Sequence, residues 1–487
     1  MTEMTTTLAP TLYRRGEMHE FAAAENAFMY LVTAGAIFAL DDGAHVLLQR
    51  LDEEALDLSD MIAALVAKGY EQVDAEGVIR ELRMVKAIVA DGAAPTPAPV
   101  SPPTDFPLQA LVINITNQCN LACTYCYEFG ADKIATPQGK PKYMTLETAK
   151  ASVDLLLEQS AGRKGVHITF FGGETLMNFK LLREVVAYAN ERGAAADKKV
   201  GFSLTTNATL LTDEIIAFLS DNEIGVTVSM DGPPELQDKR RVYKSGKGSY
   251  AVVEPRLRKL IAGHKTRAIT ARVTLTEGVT DVIRIFRHLK DDLGFHEVGF
   301  APVTNSGEQA YAIGNGEMVS VLDQFQQLAD EWLEYALRGQ MHGFSNVSET
   351  IGELIQGVNK SHPCGAGLGL LGVSPSGDLS PCHRFTDADS HTLGNLEDGI
   401  DAQKREDFLS RGHVGAKYEC ASCWARPLCA GGCHHEAFVR YGDTGHANLH
   451  YCDWIRKWTD TCLRIYGAVS VLNPTFLRRF AERKALS

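Results

Sequence analysis

The sequence has 487 residues, of which 45% are hydrophobic and 22% are charged. This balance is typical of a soluble globular protein, and the length predicts about three domains. The net charge is −13, from 61 acidic and 48 basic residues. An acidic chain disfavours nucleic acid or an anionic membrane as a partner, and no apolar run approaches the length of a membrane span. Because no basic segment followed by an apolar one opens the sequence, we expect a cytoplasmic protein.

Eleven cysteines are the unusual feature of the composition. In a reducing compartment they remain thiols, and most of them are clustered along the chain. Clustered cysteines in such a protein predict metal binding or catalysis rather than disulfides.

The first ninety residues contain short strand-like runs near 12–22, 27–33 and 36–40, followed by three amphipathic helices, two of them at 57–69 and 74–90. Strands followed by a small helical bundle predict a winged-helix-like domain over 1–92. A DNA-binding role is disfavoured because no basic face is apparent, so we expect peptide recognition by strand addition to the sheet edge. A proline-rich linker follows at 93–106, with five prolines between 93 and 103.

Beyond the linker, six apolar strand-like runs alternate with helical ones. The predicted strands are 108–116, 166–173, 200–207, 224–232, 268–276 and 296–303, and the predicted helices between them are 145–160, 179–193, 212–222, 249–264 and 281–294. This alternation predicts an α/β domain over 107–310 with a parallel sheet, either open or curled into a partial barrel. Bridging helices at 311–360, including a long helix near 316–340, and a Gly- and Cys-rich region at 361–487 complete the predicted organisation.

Three cysteines follow the first predicted strand, with the spacing C-x3-C-x2-C: Cys119, Cys123 and Cys126. Three thiolates can hold three irons of a [4Fe–4S] cluster and leave the fourth iron open for a ligand. The alternative is a zinc knuckle that lacks its fourth ligand. Because loops meet at the carboxyl ends of parallel strands, an open iron at this position predicts a reaction site.

A second motif, Gly172–Gly173–Glu174, follows the second predicted strand. Paired glycines allow close approach of a ligand to the backbone, and Glu174 could pair with an ammonium group. Together with the cysteine motif, the chain over roughly 108–305 resembles the radical S-adenosylmethionine (SAM) enzymes. That resemblance implies that the open iron chelates SAM, that the Gly-Gly-Glu loop holds its amino group, and that SAM cleavage yields a 5′-deoxyadenosyl radical.

The same resemblance implies further SAM contacts at the ends of the third and fourth strands and within the cysteine loop. Candidates for these contacts are Tyr125, Thr206, Asn207, Ser229 and Asp231. Arg240 or Arg241 could pair with the SAM carboxylate, although a solvated charge is the alternative for either residue.

A second cysteine array lies in the C-terminal region, where Cys420, Cys423, Cys429 and Cys433 have the spacing C-x2-C-x5-C-x3-C. With Cys364 and Cys382 upstream and Cys452 downstream, the array resembles a SPASM domain, which carries two auxiliary [4Fe–4S] clusters. The resemblance implies an outer cluster on Cys420, Cys423, Cys429 and Cys452, and an inner cluster on Cys364, Cys382 and Cys433. Where some relatives have a further inner ligand this chain has Leu370, so the inner cluster either has an open iron or takes Cys462.

Over essentially its full length the chain is similar to the quinohemoprotein amine dehydrogenase maturases. This resemblance implies a radical enzyme that joins Cys sulfurs to methylene carbons of Asp or Glu in the small γ subunit of that dehydrogenase. It also implies an electron donor such as flavodoxin or ferredoxin. A methylene beside a carboxylate has no acid–base route to a carbon–sulfur bond near pH 7, which is consistent with radical chemistry.

Two other functions remain open from the sequence. Sulfatase maturases have an Asp directly after the second inner-cluster cysteine, where this chain has His383. If a base is needed, His383 and Asp231 are the candidates, although His383 could instead hydrogen-bond cluster sulfur and Asp231 could serve SAM binding or structure. The third possibility is a non-enzymatic, zinc-binding peptide-recognition scaffold.

Overall fold

A computed structural model gives the fold of residues 11–94, 97–103, 105–135 and 139–486, with side chains through 482. Residues 1–10 of the predicted front domain, and Pro95, Thr96 and Thr104 of the predicted linker, lie outside the described residues. Within the described ranges, no helix has both the length and the apolar character that a bilayer crossing requires.

The front domain contains the predicted strands and three helices. Its elements are β1 (Tyr13–Arg15), β2 (Met18–Ala23), β3 (Asn26–Leu31), β4 (Ala36–Leu40), α1 (Asp42–Glu53), α2 (Leu58–Val66), α3 (Gln72–Met84) and β5 (Ile88–Ala90). Strands β2, β3 and β4 form an antiparallel sheet in that order, and β1 pairs with β5. Asp41 and Asp57 cap α1 and α2 by accepting hydrogen bonds from the first-turn amides Ala44 N and Asp60 N.

The predicted helix over 74–90 is wrong at its end. Lys86 has a φ of 63°, in the left-handed region, which α-helix cannot continue through. The chain therefore leaves the helix at Met84, and Ile88 pairs with Arg15 instead. This antiparallel pairing is a long-range contact that helical periodicity does not reveal.

The front domain is docked on the C-terminal part of the chain through β2. The His19 ring stacks on Trp424, with ring centroids 3.7 Å apart, and its Nε2 lies 2.7 Å from Oδ1 of Asp460. Glu17 forms an ion pair with Arg426. Gly467 lies where an added Cβ would be 3.0 Å from the Cβ of Ala23, so the helix that carries it packs closely on the sheet. The predicted linker is also anchored, since Pro99 O lies 2.8 Å from Nε2 of His413.

The central sheet confirms the six predicted β/α strands. Its parallel strands are β6 (Ala110–Thr116), β7 (Gly165–Gly172), β8 (Lys199–Thr206), β9 (Gly225–Ser229), β10 (Ile269–Leu275) and β11 (Glu297–Pro302), adjacent in chain order. The helices are α4 (Leu146–Glu158), α5 (Phe179–Ala195), α6 (Asp213–Asp221), α7 (Pro234–Arg240), α8 (Tyr250–Gly263), α9 (Val282–Arg287), α10 (Asn315–Leu337) and α11 (Ser345–Ile355). The fold is therefore α/β, as predicted. Only α7 among these helices is absent from the predictions.

The cysteine-rich region, residues 361–486, extends this sheet. Strand β12 (Leu370–Val373) pairs in parallel with β6, and β13 (Leu379–Ser380) pairs antiparallel with β12. The remaining elements are β14 (Gly394–Asn395), β15 (Gly399–Ile400), α12 (Ala402–Gly412), α13 (Arg426–Cys429), α14 (His434–Tyr441), α15 (Cys452–Leu472) and α16 (Pro474–Leu486). The region thus shares the hydrogen-bonded sheet that positions the first cysteine motif.

Candidate active site

A cavity of about 580 Å³, which we call the barrel cavity, lies at the carboxyl ends of the parallel strands. Its walls include the three motif cysteines and most of the predicted SAM contacts: Cys119, Cys123, Tyr125, Cys126, Gly172, Gly173, Glu174, Thr206, Asn207, Ser229, Arg241 and His383. Arg240 and Asp231 are not among the lining residues. The position agrees with the general location of active sites in β/α barrels.

The cysteines of the first motif are free thiols in a desolvated loop. Burial raises the pKa of Cys119 and of Cys126 to about 12 each, and it raises the pKa of Cys123 as well. Neutral thiols of this kind become thiolates when iron binds, because the metal stabilises the anion. Nδ2 of Asn207 lies 3.9 Å from Sγ of Cys119, within the range of a hydrogen bond to sulfur. Three thiols without disulfides, on one cavity wall, fit the ligand set of a SAM-binding [4Fe–4S] cluster.

The two glycines of the second motif allow strand β7 to lie directly against the cysteine loop. A Cβ on Gly172 would be 2.2 Å from Thr116 O, and one on Gly173 would be 2.4 Å from Gln118 O. Gly173 N donates to Thr116 O, and Glu174 N donates to Gln118 O. The close approach expected of these glycines therefore includes the protein's own backbone, and it fixes the loop that carries Cys119.

Glu174 is 1% exposed, and its carboxylate is held by three donors. Oε1 accepts from the Thr206 hydroxyl over 2.7 Å and from Leu176 N over 3.0 Å, and Oε2 accepts from Asn207 N over 2.7 Å. Burial raises the pKa of Glu174, and these hydrogen bonds partly oppose the rise. Glu174 therefore joins the ends of β7 and β8 and orients Thr206 and Asn207 at the cavity.

Asp231 and Arg241 form a buried ion pair next to the cysteine loop. Nε of Arg241 donates to Oδ2 of Asp231 over 2.9 Å, and the Tyr125 hydroxyl donates to the same oxygen over 2.6 Å. Oδ1 of Asp231 accepts from Thr274 N over 3.0 Å. The Asp231 carboxylate is thus occupied by structural contacts. Arg240 is engaged elsewhere, with the Glu277 carboxylate at 2.8 Å.

His383 faces the cavity from the segment that follows Cys382. Its ring centroid lies 4.5 Å from that of Phe171 and 6.3 Å from that of Tyr127. Burial, with a further contribution from Arg384, lowers the pKa of His383 to about 3. The imidazole is therefore neutral near pH 7, and its Nδ1 has no hydrogen-bond partner among the described residues.

The C-terminal cysteines are divided into two neighbouring groups by the electrostatic influence of their thiols on one another. The pKa of Cys382 is raised to about 12, first by burial and then by Cys433 and Cys364. The pKa of Cys420 is likewise raised to about 12, by burial and then by Cys429, with further effects of Cys423 and Cys452. We call these sets the inner group (Cys364, Cys382, Cys433) and the outer group (Cys420, Cys423, Cys429, Cys452).

Leu370 and Cys462 differ in their relation to the inner group. Leu370 lines the barrel cavity and lies on β12, so the position where some relatives have another ligand faces the active site. Cys462 is buried in the hydrophobic core on α15. Burial raises its pKa, and a hydrogen bond with Thr350 opposes only part of this rise. These surroundings are those of a core cysteine.

Two residues in or near the site, Lys417 and Glu128, carry no sequence signal. Lys417 is 1% exposed, and burial lowers its pKa. Thiols of both groups lie near enough to oppose this lowering: Cys420, Cys429, Cys433 and Cys364. Glu128 lines the barrel cavity, and burial, with a contribution from Asp387, raises its pKa to about 8. No motif includes these residues, and only their location identifies them.

A second cavity of about 370 Å³, which we call the outer cavity, is lined by the outer group and Cys433. Its walls share five residues with the barrel cavity: Arg272, Ala301, Pro302, Thr304 and Arg384. Among the described residues, no three His, Cys, Asp or Glu side chains converge as the ligands of a single ion do. A four-iron cluster is held differently, because each cysteine binds its own iron atom.

Comparison with known proteins assigns the class. Residues 113–289 match the Radical SAM superfamily. The matched segment begins in β6, before the first cysteine motif, and covers the Gly-Gly-Glu loop. The protein is an enzyme, and residues 113–289 form its radical SAM domain, as the two motifs indicated. That class of domain implies SAM and a [4Fe–4S] cluster as cofactors. The non-enzymatic scaffold is therefore wrong.

Individual relatives are similar over different lengths of the chain. A cysteine-type anaerobic sulfatase-maturating enzyme of Clostridium perfringens is 27% identical over 348 residues, which cover 67% of this chain and 89% of that enzyme. An uncharacterized protein of Methanocaldococcus jannaschii, MJ0907, is 34% identical over 142 residues, or 29% of this chain and 45% of that protein. A structure of anSMEcpe with bound AdoMet has a TM-score of 0.63 at 22% identity and covers 76% of this chain and 100% of its own. This last likeness concerns the fold.

Proposed function

We propose that this enzyme modifies a peptide or protein substrate, forming thioether bonds between Cys sulfurs and methylene carbons of Asp or Glu. The proposed substrate is the γ subunit of a quinohemoprotein amine dehydrogenase. The observation that carries the proposal is the inner cysteine group beside the barrel cavity, with Leu370 at the position of a fourth cysteine. An inner cluster with a free iron could bind and activate the substrate thiol.

In this scheme, SAM and the three clusters, when bound, supply the 5′-deoxyadenosyl radical and accept the electron that bond formation releases. The residues of the chain hold and orient the reactants. The Gly172–Gly173 contact fixes the cysteine loop, and the Glu174 carboxylate positions Thr206 and Asn207. Forming each bond removes one hydrogen from carbon and one proton from sulfur, so the product is lighter by two hydrogens.

The front domain supports a peptide substrate. Strand β4 pairs with β3 alone among the described residues, so one edge of the three-stranded sheet is available for an added strand. The opposite edge, β2, is engaged with the C-terminal region. A peptide bound at β4 would be held on a domain that is fixed relative to the active site.

The second candidate is a sulfatase maturase, and the similarity to the Clostridium perfringens enzyme favours it. His383 stands against it, since a neutral, desolvated imidazole replaces the Asp expected at this position. Incubation with SAM, a reductant and either a γ subunit or a sulfatase-derived peptide, followed by mass spectrometry, separates the two. We expect loss of two hydrogens per bond in the γ subunit and no formylglycine.

Iron analysis tests the cofactor part of the proposal. Anaerobically reconstituted enzyme should hold about 12 iron atoms, and the Cys119/Cys123/Cys126→Ala variant about 8. Cys364→Ala should abolish cross-linking and leave SAM cleavage detectable. Loss of both activities in Cys364→Ala would contradict the proposed division between the two regions, and stoichiometric zinc in place of iron would contradict the cluster assignment.

A further inference from the structure

Two arginines stand on the wall shared by the barrel cavity and the outer cavity. Arg272 lies on β10 and Arg384 follows the inner-group residue Cys382, and both line both cavities. The motif cysteines line only the barrel cavity, and the outer group lines only the outer cavity. A substrate segment that reaches from the site of radical formation toward the C-terminal cysteines therefore passes these two guanidinium groups.

Neither of these arginines forms an ion pair with a described residue. Arg241, which also lines the barrel cavity, does: it pairs with Asp231 at 2.9 Å. Arg384 donates to the Thr304 hydroxyl over 2.8 Å and lies over the Tyr127 ring at 4.9 Å. The Glu436 carboxylate is near enough to raise the pKa of Arg384, but it forms no ion pair with it. Burial lowers the pKa of Arg272; Glu349 opposes this change, and the charge of Arg384 adds to it.

The exposure of Arg272 shows where its side chain points. Along β10 the residues on both sides, Ala271 and Val273, are buried, whereas Arg272 is exposed. Strand β10 is an inner strand of the sheet, between β9 and β11. Arg272 lines the barrel cavity, so its exposed surface belongs to the cavity wall. A guanidinium group on a cavity wall that forms no ion pair can bind an anionic ligand through charge-assisted hydrogen bonds.

A carboxylate is the anion that a polypeptide brings. Guanidinium groups bind carboxylates through paired, charge-assisted hydrogen bonds, and Thr304 places a hydroxyl beside them. Because the whole chain carries a net charge of −13, an acidic segment needs local positive charge to enter the cavity.

We infer that Arg272 and Arg384 together bind the side-chain carboxylate of the acidic residue that is modified. This inference rests on the proposed function, because it names how that substrate is recognised at the same site. The pair would fix the carboxylate and thereby orient the neighbouring methylene group for hydrogen abstraction. It would also discriminate acidic residues from their amide counterparts, since an amide does not supply the negative charge that the two guanidinium groups bind.

Binding measurements on reconstituted holoenzyme with SAM test the inference. The probes are a fluorescently labelled γ-subunit polypeptide and the same polypeptide with its acceptor Asp and Glu residues changed to Asn and Gln. We expect wild type to bind the amide polypeptide about tenfold more weakly than the acidic one. Arg272→Gln and Arg384→Gln should weaken binding of the acidic polypeptide by a similar factor and change binding of the amide polypeptide little.

Three further measurements make the test specific. Arg272→Lys and Arg384→Lys should retain part of the preference for the acidic polypeptide, which a folding defect would not spare. Arg284→Gln, at an exposed arginine that pairs with Glu235, is the matched control and should behave as wild type. SAM affinity should be unchanged in all variants. If the variants bind both polypeptides equally more weakly than wild type does, the inference is wrong. It is also wrong if their SAM affinity falls in parallel, because the arginines would then bind SAM.

A substrate-independent experiment separates this inference from the proposed function. If wild type binds neither polypeptide, the γ subunit is the wrong substrate. The arginines are then tested directly, by soaking holoenzyme crystals with N-acetylglutamate N-methylamide or its glutamine analogue. Density for the glutamate carboxylate on Arg272 and Arg384, without density for the glutamine analogue, supports the pair. Equal occupancy by both compounds, or no density at the arginines, rejects it.

Discussion

Arg241 and Asp231 form a buried ion pair of 2.9 Å, with 8% of the arginine side chain and none of the aspartate side chain exposed. The Tyr125 hydroxyl shares the aspartate, so the pair connects the cysteine loop to the end of β9. Removing one partner leaves an uncompensated buried charge. We therefore expect Asp231→Ala or Arg241→Leu to lower the free energy of unfolding by about 3–5 kcal/mol, measured by urea denaturation.

The double variant distinguishes this structural role from catalysis. Asp231→Ala combined with Arg241→Leu should lose less stability than the sum of the single variants, because no unpaired charge remains. If Asp231 instead acts as a catalytic base, Asp231→Asn should abolish cross-linking while its unfolding curve and its SAM cleavage match those of wild type.

Gly173→Ala should disrupt the first cysteine motif. The added Cβ would lie 2.4 Å from Gln118 O and 3.0 Å from Cys119 N, so the loop has to shift. We expect the iron content of reconstituted enzyme to fall by about four atoms per chain, together with loss of SAM cleavage. Gly316→Ala is the control, because a Cβ added at this position on α10 would have no described atom of another element within 4 Å. Full iron content in Gly173→Ala would show that the loop tolerates the shift.

His19→Ala should loosen the front domain without affecting radical chemistry. The variant loses the stack on Trp424 and the contact with Asp460. If the domain positions the peptide, cross-linking at low substrate concentration should fall by about tenfold, because the effective concentration of the bound peptide at the active site falls. SAM cleavage in the absence of peptide should not change, and hydrogen exchange in β2 should accelerate.

His45→Ala is the matched control for this experiment. His45 lies in the same domain and contacts Glu20 at 3.1 Å, away from Trp424. Equal effects of His19→Ala and His45→Ala on cross-linking would mean that docking of the domain is irrelevant to catalysis.

His391 should make stability fall at mildly acidic pH. Burial lowers its pKa to about 4, below the value of about 6.5 expected in the unfolded chain. Between these values the unfolded state binds more protons, so stability is lost as the pH falls below 6.5 toward 4. From pH 7.5 to 5.5 we expect wild type to lose about 1 kcal/mol more than His391→Gln, measured by urea denaturation at each pH. Parallel losses in both proteins would assign the acid sensitivity to other groups.

Local patterns predicted most of the secondary structure, because each β/α repeat is built from contiguous apolar runs. Elements that depend on distant pairing were not predicted. Strand β5 was read as the end of a helix since its partner β1 lies at the other end of the domain. Strands β12 and β13 were missed because β12 is defined by its pairing with β6, far earlier in the chain.

The candidate active site likewise combines residues that local sequence patterns identify with residues that only the fold brings together. Cysteine spacing is local information, and eight of the ten cysteines that it singled out as ligands line two cavities with shared wall residues. Arg272 looks like an ordinary polar position of an alternating strand, and Lys417 belongs to no motif. These two residues are identified only by their surroundings in the folded protein, because a short sequence segment does not reveal which charged side chains are buried or line a cavity.

The pairing of β12 with β6 limits how this enzyme can be divided or recombined. A chain cut near residue 360 would expose one edge of β6, the strand that leads into Cys119. The amides and carbonyls of β6 that pair with β12 would then lack partners. Exchanging the C-terminal region with that of a relative would therefore also exchange a strand of the barrel. A functional chimera needs a compatible β12, and the spacing between the two cofactor regions is set by one continuous sheet.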